Sequence, residues 1–261
     1  MKRKEIIITK RFPSLNFYQG GKKMIKIKSL TKSFDGLVVI DGITLDVKAG
    51  TFVTIIGKTG CGKSTLLNIV AGITEATSGT ILSSPKKISY VFQEVTQLLE
   101  WRNVLGNVTL PLEIIGVKRE ERKRRALDTI KSVGLAGYEK YYPKQLSGGM
   151  KQKVAIARAL VTKPDLILMD EPFRSLDTIT RFDFQLDLIK LWIKLSPTII
   201  FVTHDITEGV LLSQKVIVLS DKPSRIKKIF EVDFPYPRSL DLMENKKFLI
   251  LCKKIREIIK L

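Results

Sequence analysis

Between residues 24 and 30, Ile25 and Ile27 alternate with Lys26 and Lys28, the pattern of a half-buried strand. Residues 43–47 repeat that pattern and stop at the Ala49-Gly50 turn. Residues 52–56 differ. Phe52, Val53, Thr54, Ile55 and Ile56 form a nearly unbroken, β-branched run, which predicts a strand covered on both faces. Similar runs predict buried strands at 88–92, 166–169, 198–202 and 216–219. Helical spacing fills much of the intervening chain, at 64–70, 118–133, 148–162, 179–195 and 206–212. Strands alternating with helices predict an α/β fold around a mostly parallel sheet. Residues 94–150 offer no strand pattern and read as a helical insert within a domain of 24–240. In the tail, 241–261, Phe248, Leu251, Ile255 and Ile258 recur at helical spacing and predict an amphipathic helix packed on that domain. Residues 1–23 have no periodicity, contain Pro13 and the Gly20-Gly21 pair, and read as a loosely held extension.

Composition narrows the function. The 261 residues are 44% hydrophobic and 27% charged, a globular balance. No run approaches the ~18 apolar residues of a membrane span. The basic start of the chain is followed by only Ile6, Ile7 and Ile8, so no secretory signal is expected. Two cysteines, Cys61 and Cys252, are too few for a disulfide framework and suit a reducing compartment. The net charge of +19 points either to nucleic acid or to an anionic membrane surface. Its densest block, residues 118–125, has no interleaved aromatic residues for base stacking and reads as the solvated start of a helix.

The chemistry is concentrated in three places. Gly57, Lys58, Thr59, Gly60, Cys61, Gly62, Lys63 and Ser64 match the phosphate-loop pattern, between a predicted strand and a predicted helix. Glycines let successive amides curl around a phosphate chain, and the helix N-terminus adds its dipole. Lys63 would reach the β- and γ-phosphates, the Ser64 hydroxyl would ligate Mg²⁺, and Thr65 continues the nucleotide contacts. Cys61 has two readings: a thiol activated by the helix N-terminus and Lys63, or a small tolerated side chain. Downstream, Asp170 and Glu171 follow an apolar strand, at the edge where open α/β sheets bind ligands. Asp170 suits a Mg²⁺ shell and Glu171 a base for water. The sole histidine, His204, follows another apolar strand.

Three further landmarks complete an ordered set: Gln93 after the strand at 88–92, Ser147-Gly148-Gly149 opening a helix, and Ser175-Leu176-Asp177 after the acidic pair. In this order the motifs resemble the nucleotide-binding subunit of ATP-binding cassette (ABC) transporters, over about residues 24–238. The resemblance implies a phosphate-loop (RecA-like) core with an N-terminal antiparallel β part and a helical insert. It implies that Phe34 stacks on adenine, that Gln93 touches Mg²⁺ and the attacking water, and that Glu171 is the catalytic base with His204 at the γ-phosphate. It further implies that Ser147, Gly148, Gly149 and Asp177 complete the ATP site of a second copy, so that a homodimer encloses two ATP molecules. The segments 97–107, 171–181, 211–226 and 232–238 resemble the nitrate, sulfonate and taurine importer branch. Glu100 and Arg174 depart from it, standing where Pro and Gly are usual. An importer subunit would sit peripherally on the cytoplasmic face of the cell membrane. It would drive a separate permease, near whose docking site 98–101 would lie, and depend indirectly on a solute-binding protein. Trp101 would face that permease or pack in the core. The rival readings are a soluble cassette ATPase acting on nucleic acid or ribosomes, and an exporter subunit. The single cassette, lacking a coiled-coil insertion or zinc cysteines, argues against the first, and no nucleic-acid partner is expected.

Overall fold

The computed structural model describes residues 23–93, 98–174 and 176–260. Apart from Lys23, the expected extension at 1–23 lies outside the described residues. Two sheets are stacked. The first opens with β1 (Lys23–Phe34) and β2 (Leu37–Lys48), an antiparallel pair. The second is built on β3 (Phe52–Ile56), which runs into α1 (Lys63–Val70). The chain then returns to the first sheet with β4 (Ser78–Ser83), which pairs with β1. It re-enters the second with β5 (Ile88–Val91).

The insert contributes α2 (Val104–Ile114) and α3 (Arg119–Ser132). Then come α4 (Gly148–Leu160), β6 (Leu166–Asp170), α5 (Thr178–Leu195) and β7 (Thr198–Thr203). The chain continues through α6 (Ile206–Leu212), β8 (Lys215–Leu219), β9 (Ile226–Glu231) and α7 (Lys246–Lys260). The large sheet has the order β5-β6-β7-β3-β8-β9, parallel except for the antiparallel β8–β9 pair.

The continuous apolar runs become strands buried on both faces, because each face of the large sheet has its own core. Phe52 and Ile56 of β3 join the cluster under α2, α4, α5 and α7. Val53 and Ile55 join the opposite cluster, under α1 and the antiparallel sheet. The structure adds β4 and β9 to the strands that the pattern predicts, and starts β2 at Leu37 rather than at 43. Register shifts in the β1–β2 pair break the period of two on which the pattern relies. Helix α2 is not singled out by the sequence either. It carries Gly106 and Pro111, two weak helix formers, and is held instead by tertiary packing and the Asn103 N-cap.

Helix α6 is fixed at its end by one side chain. The buried Arg238 guanidinium donates from Nη1 to the carbonyls of Val210 (2.8 Å), Leu211 (3.0 Å) and Ser213 (2.8 Å). From Nη2 it donates to the Phe234 carbonyl (3.0 Å), and it stacks on Tyr236. A cation at a helix C-terminus also meets the negative end of the dipole. Arg238→Met should destabilise the fold by about 3 kcal/mol, because it leaves several buried carbonyls unpaired. Urea unfolding followed by circular dichroism measures this.

Candidate active site

The parallel strands β6, β7 and β3 are neighbours, and all deliver their chemistry at the same carboxyl edge. From β3 the chain turns through 57–62 into α1. Gly62 has φ 112°, a region open to glycine, and a Cβ there would lie 3.1 Å from Val39 Cγ1. At Gly57 a Cβ would lie 2.7 Å from Cys61 Sγ. The loop is thus folded tightly on itself, with Cys61 buried inside it. Of the two readings of Cys61, its burial and the closeness of its sulfur to Gly57 favour the small tolerated side chain. Lys63 is 5% exposed, and its Nζ donates to the carbonyls of Gly57 and Lys58, each at 2.9 Å.

A segment that sequence reasoning missed braces this loop. Ser224 is fully buried, and its hydroxyl donates to the Cys61 carbonyl. Its backbone N–H donates to the Val39 carbonyl (2.8 Å), and its own carbonyl accepts from Asp41 N–H (3.0 Å). Lys58 pairs with Asp221 at 2.7 Å. The loop between β8 and β9 therefore clasps the phosphate loop from outside. Only the family likeness of Pro223-Ser224-Arg225-Ile226 drew attention to it.

Asp170 ends β6 beside α1. Burial holds its carboxyl above the usual carboxylate range, with neighbouring Glu171 adding to the rise, against the hydrogen bond from Ser64 and the charge of Lys63. Its Oδ1 is buried with no hydrogen-bond partner. A buried, orphaned carboxylate oxygen next to a hydroxyl at a helix N-terminus is a donor set that suits a hard divalent cation. Glu171 follows with φ 42°, a strained conformation for a residue with a Cβ. Its N–H still bonds the Val202 carbonyl (2.9 Å), so the peptide stays tied to β7 while the side chain swings into the cleft. There, Glu171 Oε1 lies 3.8 Å from Lys63 Nζ. Its Oε2 lies 3.1 Å from His204 Nδ1 and 3.8 Å from Arg174 Nη1. Thr59, Glu171, Arg174, Arg181, Thr203, His204, Asp205 and Glu208 line a cleft of about 170 Å³ here. A carboxylate set among cationic groups beside an amide-rich loop can bind an anion and accept a proton from water next to it.

The other expected residues lie elsewhere. The register that pairs Val91 with Met169 carries half-buried Gln93 and Glu171 out of the same sheet edge. Phe34 ends β1, 45% exposed, with Lys32 Nζ 4.6 Å from its ring centroid. Ser147 caps α4 by accepting from Met150 N–H (3.3 Å), and Asp177 caps α5 by accepting from Thr180 N–H (3.0 Å). Hydrogen bonds from Thr180 hold the exposed Asp177 carboxyl below its ordinary range. Thr180 also reaches the other cap: a Cβ on Gly149 would lie 2.5 Å from its Cγ2. One side chain thus joins the glycine pair to Asp177, a link that neither motif signals alone. Gly148 is open and exposed.

Residues 40–174 match the ABC transporter domain family. An ABC transporter ATP-binding protein of Methanocaldococcus jannaschii is 44% identical over 250 residues, 92% of each chain. An aliphatic sulfonates import ATP-binding protein of Streptomyces avermitilis is 44% identical over 216 residues, 82% of this chain and 83% of that one. Among solved structures, a dimeric ATP-binding cassette in a post-hydrolysis state with ADP and Pi superposes with a TM-score of 0.69 at 32% identity. That match covers 81% of this chain and all of the other. With the family matched over more than half of the chain and relatives of 44% identity covering most of it, the chain belongs to the ABC transporter family as an ATP-binding, ATP-hydrolysing cassette.

Proposed function

We propose that two copies of this chain enclose two ATP molecules and drive a membrane permease that imports a small organic anion, such as a sulfonate. The observation that carries this reading is Glu171, held in a strained conformation at the edge of β6 between Lys63 and His204. Lys63 and the loop amides bind the β- and γ-phosphates, and Phe34 stacks on adenine. Glu171 accepts a proton from the attacking water through its carboxylate, and His204 orients that carboxylate and meets the γ-phosphate. Ser64, Asp170 and Gln93 would hold Mg²⁺, which when bound supplies charge neutralisation at the phosphate oxygens. Among the described residues no cluster of three or more His, Cys, Asp and Glu forms a cage. That fits an ion of which one or two carboxylates hold only part of the shell.

Ser147, Gly148 and Asp177 are exposed, and the first and last are caps with free outer faces, as a second ATP site across a dimer requires. Among the described residues no helix is long and apolar enough to cross a membrane, and the reading places the transport path on a separate permease. We assign its contact to Trp101. This side chain is 75% exposed, which corrects the alternative of core packing, whereas Leu98 is buried. Buried Asn107 stiffens the loop that carries it: Oδ1 accepts from Leu99 N–H (2.8 Å), and Nδ2 donates to the carbonyls of Leu99 (3.1 Å) and Arg102 (2.8 Å). A rigidly presented aromatic is an economical anchor for a protein interface. The cassette would lie peripherally on the cytoplasmic face of the membrane, its permease served by a solute-binding protein.

Glu171→Gln should bind ATP, lose at least about a hundredfold in turnover for want of the base, and accumulate as a dimer with ATP on gel filtration. A monomeric, fully active variant would refute the assignment. Ser147→Arg should abolish the ATP-dependent dimer while leaving ATP binding to the monomer. In affinity purification from native membranes, the wild-type chain should recover a polytopic membrane protein that Trp101→Ala fails to recover. Screening the associated solute-binding protein against small sulfonates and other anions then tests the solute class.

A further inference from the structure

Helix α6 begins just after His204, with Asp205 as its N-cap, and its first turn carries a buried acid that the nucleotide motifs do not include. Glu208 is 6% exposed. Each of its oxygens accepts one hydrogen bond: Oε2 from the Thr203 hydroxyl at 2.6 Å, and Oε1 from Gln185 Nε2 on α5 at 3.1 Å. The Thr203 hydroxyl oxygen in turn accepts from Asp205 N–H at 3.0 Å. Thr203 and Asp205 flank His204, so this chain of bonds spans the peptide that aims the imidazole. Next to Glu208, Gly209 packs so tightly on β3 that a Cβ there would lie 2.6 Å from Ile56 Cδ1. Asp205 fixes the helix start by accepting from Thr207 N–H (2.8 Å) and Glu208 N–H (3.2 Å).

We propose that Glu208 is a positioning residue for His204: its carboxylate orients Thr203, and Thr203 fixes the turn that presents the imidazole to Glu171. Because Gln185 lies on α5, the helix that Asp177 caps, the same link ties the His204 turn to the face assigned to the second copy. This inference rests on the ATPase reading above and adds a residue to it.

The chemistry gives the link a direction with pH. The charged and titratable groups around Glu208 are Arg181 on α5, Asp205 and His204 in the turn, and Glu171 and Arg174 across the cleft. Burial pushes the Glu208 carboxyl up to about 7. The nearby Asp205 charge adds to that rise, against the hydrogen bonds from Thr203 and Gln185 and the charge of Arg181. In the ionised form both carboxylate oxygens act as acceptors, and a proton added as pH falls through 7 takes charge and acceptor strength from one of them, which loosens its hold on Thr203 or Gln185. The ionised form is therefore the one that holds His204 in place. It is also the form that burial disfavours, so Glu208 contributes most to stability when protonated and loses that contribution as pH rises from about 4.5 to about 7. Positioning and stability thus run in opposite directions with pH, which a purely structural role would not produce.

The test compares the wild-type chain with Glu208→Gln, which keeps the shape and removes the titration. At pH 8, kcat for ATP should fall about tenfold, the worth of one charge-assisted hydrogen bond, with KM within about twofold. The ratio of wild-type to variant kcat should shrink between pH 8 and pH 6. The thermal midpoint of the variant relative to wild type should rise over the same interval from acid to base. Thr203→Val should reproduce the kcat loss, and Thr203→Ser should restore it. Wild-type turnover in Glu208→Gln at pH 8, or a ratio that does not change with pH, overturns the proposal and leaves the cassette assignment standing. A wild-type chain that neither binds nor hydrolyses ATP overturns both.

Discussion

Lys63 carries its charge into a place where water scarcely reaches, and the site is arranged around that fact. An ammonium taken out of water is costly unless its protons find acceptors and its charge finds a counterpart. Two loop carbonyls accept from Nζ, and Glu171 stands across the cleft within ion-pair range. Those partners arrive from different strands, β3 and β6, with β7 between them. The buried charge therefore rewards one register of a parallel sheet and penalises others, since a slip would leave the ammonium facing apolar side chains. Glycine at 57 and 62 and positive φ at Glu171 are the local consequences. The backbone adopts conformations that only a well-packed sheet edge can hold.

What sequence discloses and what it conceals follow from how local each signal is. The phosphate loop needs eight contiguous residues and a flanking strand and helix. Glycine spacing and the β-branched run at 52–56 therefore suffice to find it. Asp170, Glu171 and His204 are legible for a similar reason: polar groups placed just after an apolar strand stand out. Ser224, Thr180 and Glu208 are not legible in this way. Each matters through a partner far along the chain: Cys61 for Ser224, Gly149 for Thr180, Gln185 for Glu208. Strands β4 and β9 are hard to read because much of their length is exposed and their alternation is weak. The exposure of Trp101 was undecidable from periodicity, since the loop bearing it has none.

The helical insert and the sheet core divide the work. Caps at Ser147 and Asp177 leave their outer faces bare, yet the Thr180 methyl group packs against Gly149 underneath. Further along, Lys153 of α4 pairs with Asp187 of α5 at 3.2 Å, so a surface assembled from the two helix starts can be offered to a neighbour as one unit. Glycine at 149 is required there by the Thr180 methyl group rather than by backbone conformation, since only residues without a Cβ allow that approach.

The clasp around the phosphate loop has a consequence for how a ligand is received. Ser224 and Asp221 hold the loop from behind, so its curvature is set when the chain folds. Little ordering entropy is then left to lose when a triphosphate arrives, which favours fast capture by a cradle already in shape. Discrimination among nucleotides must accordingly fall to the periphery, where the base rather than the phosphate tail is felt.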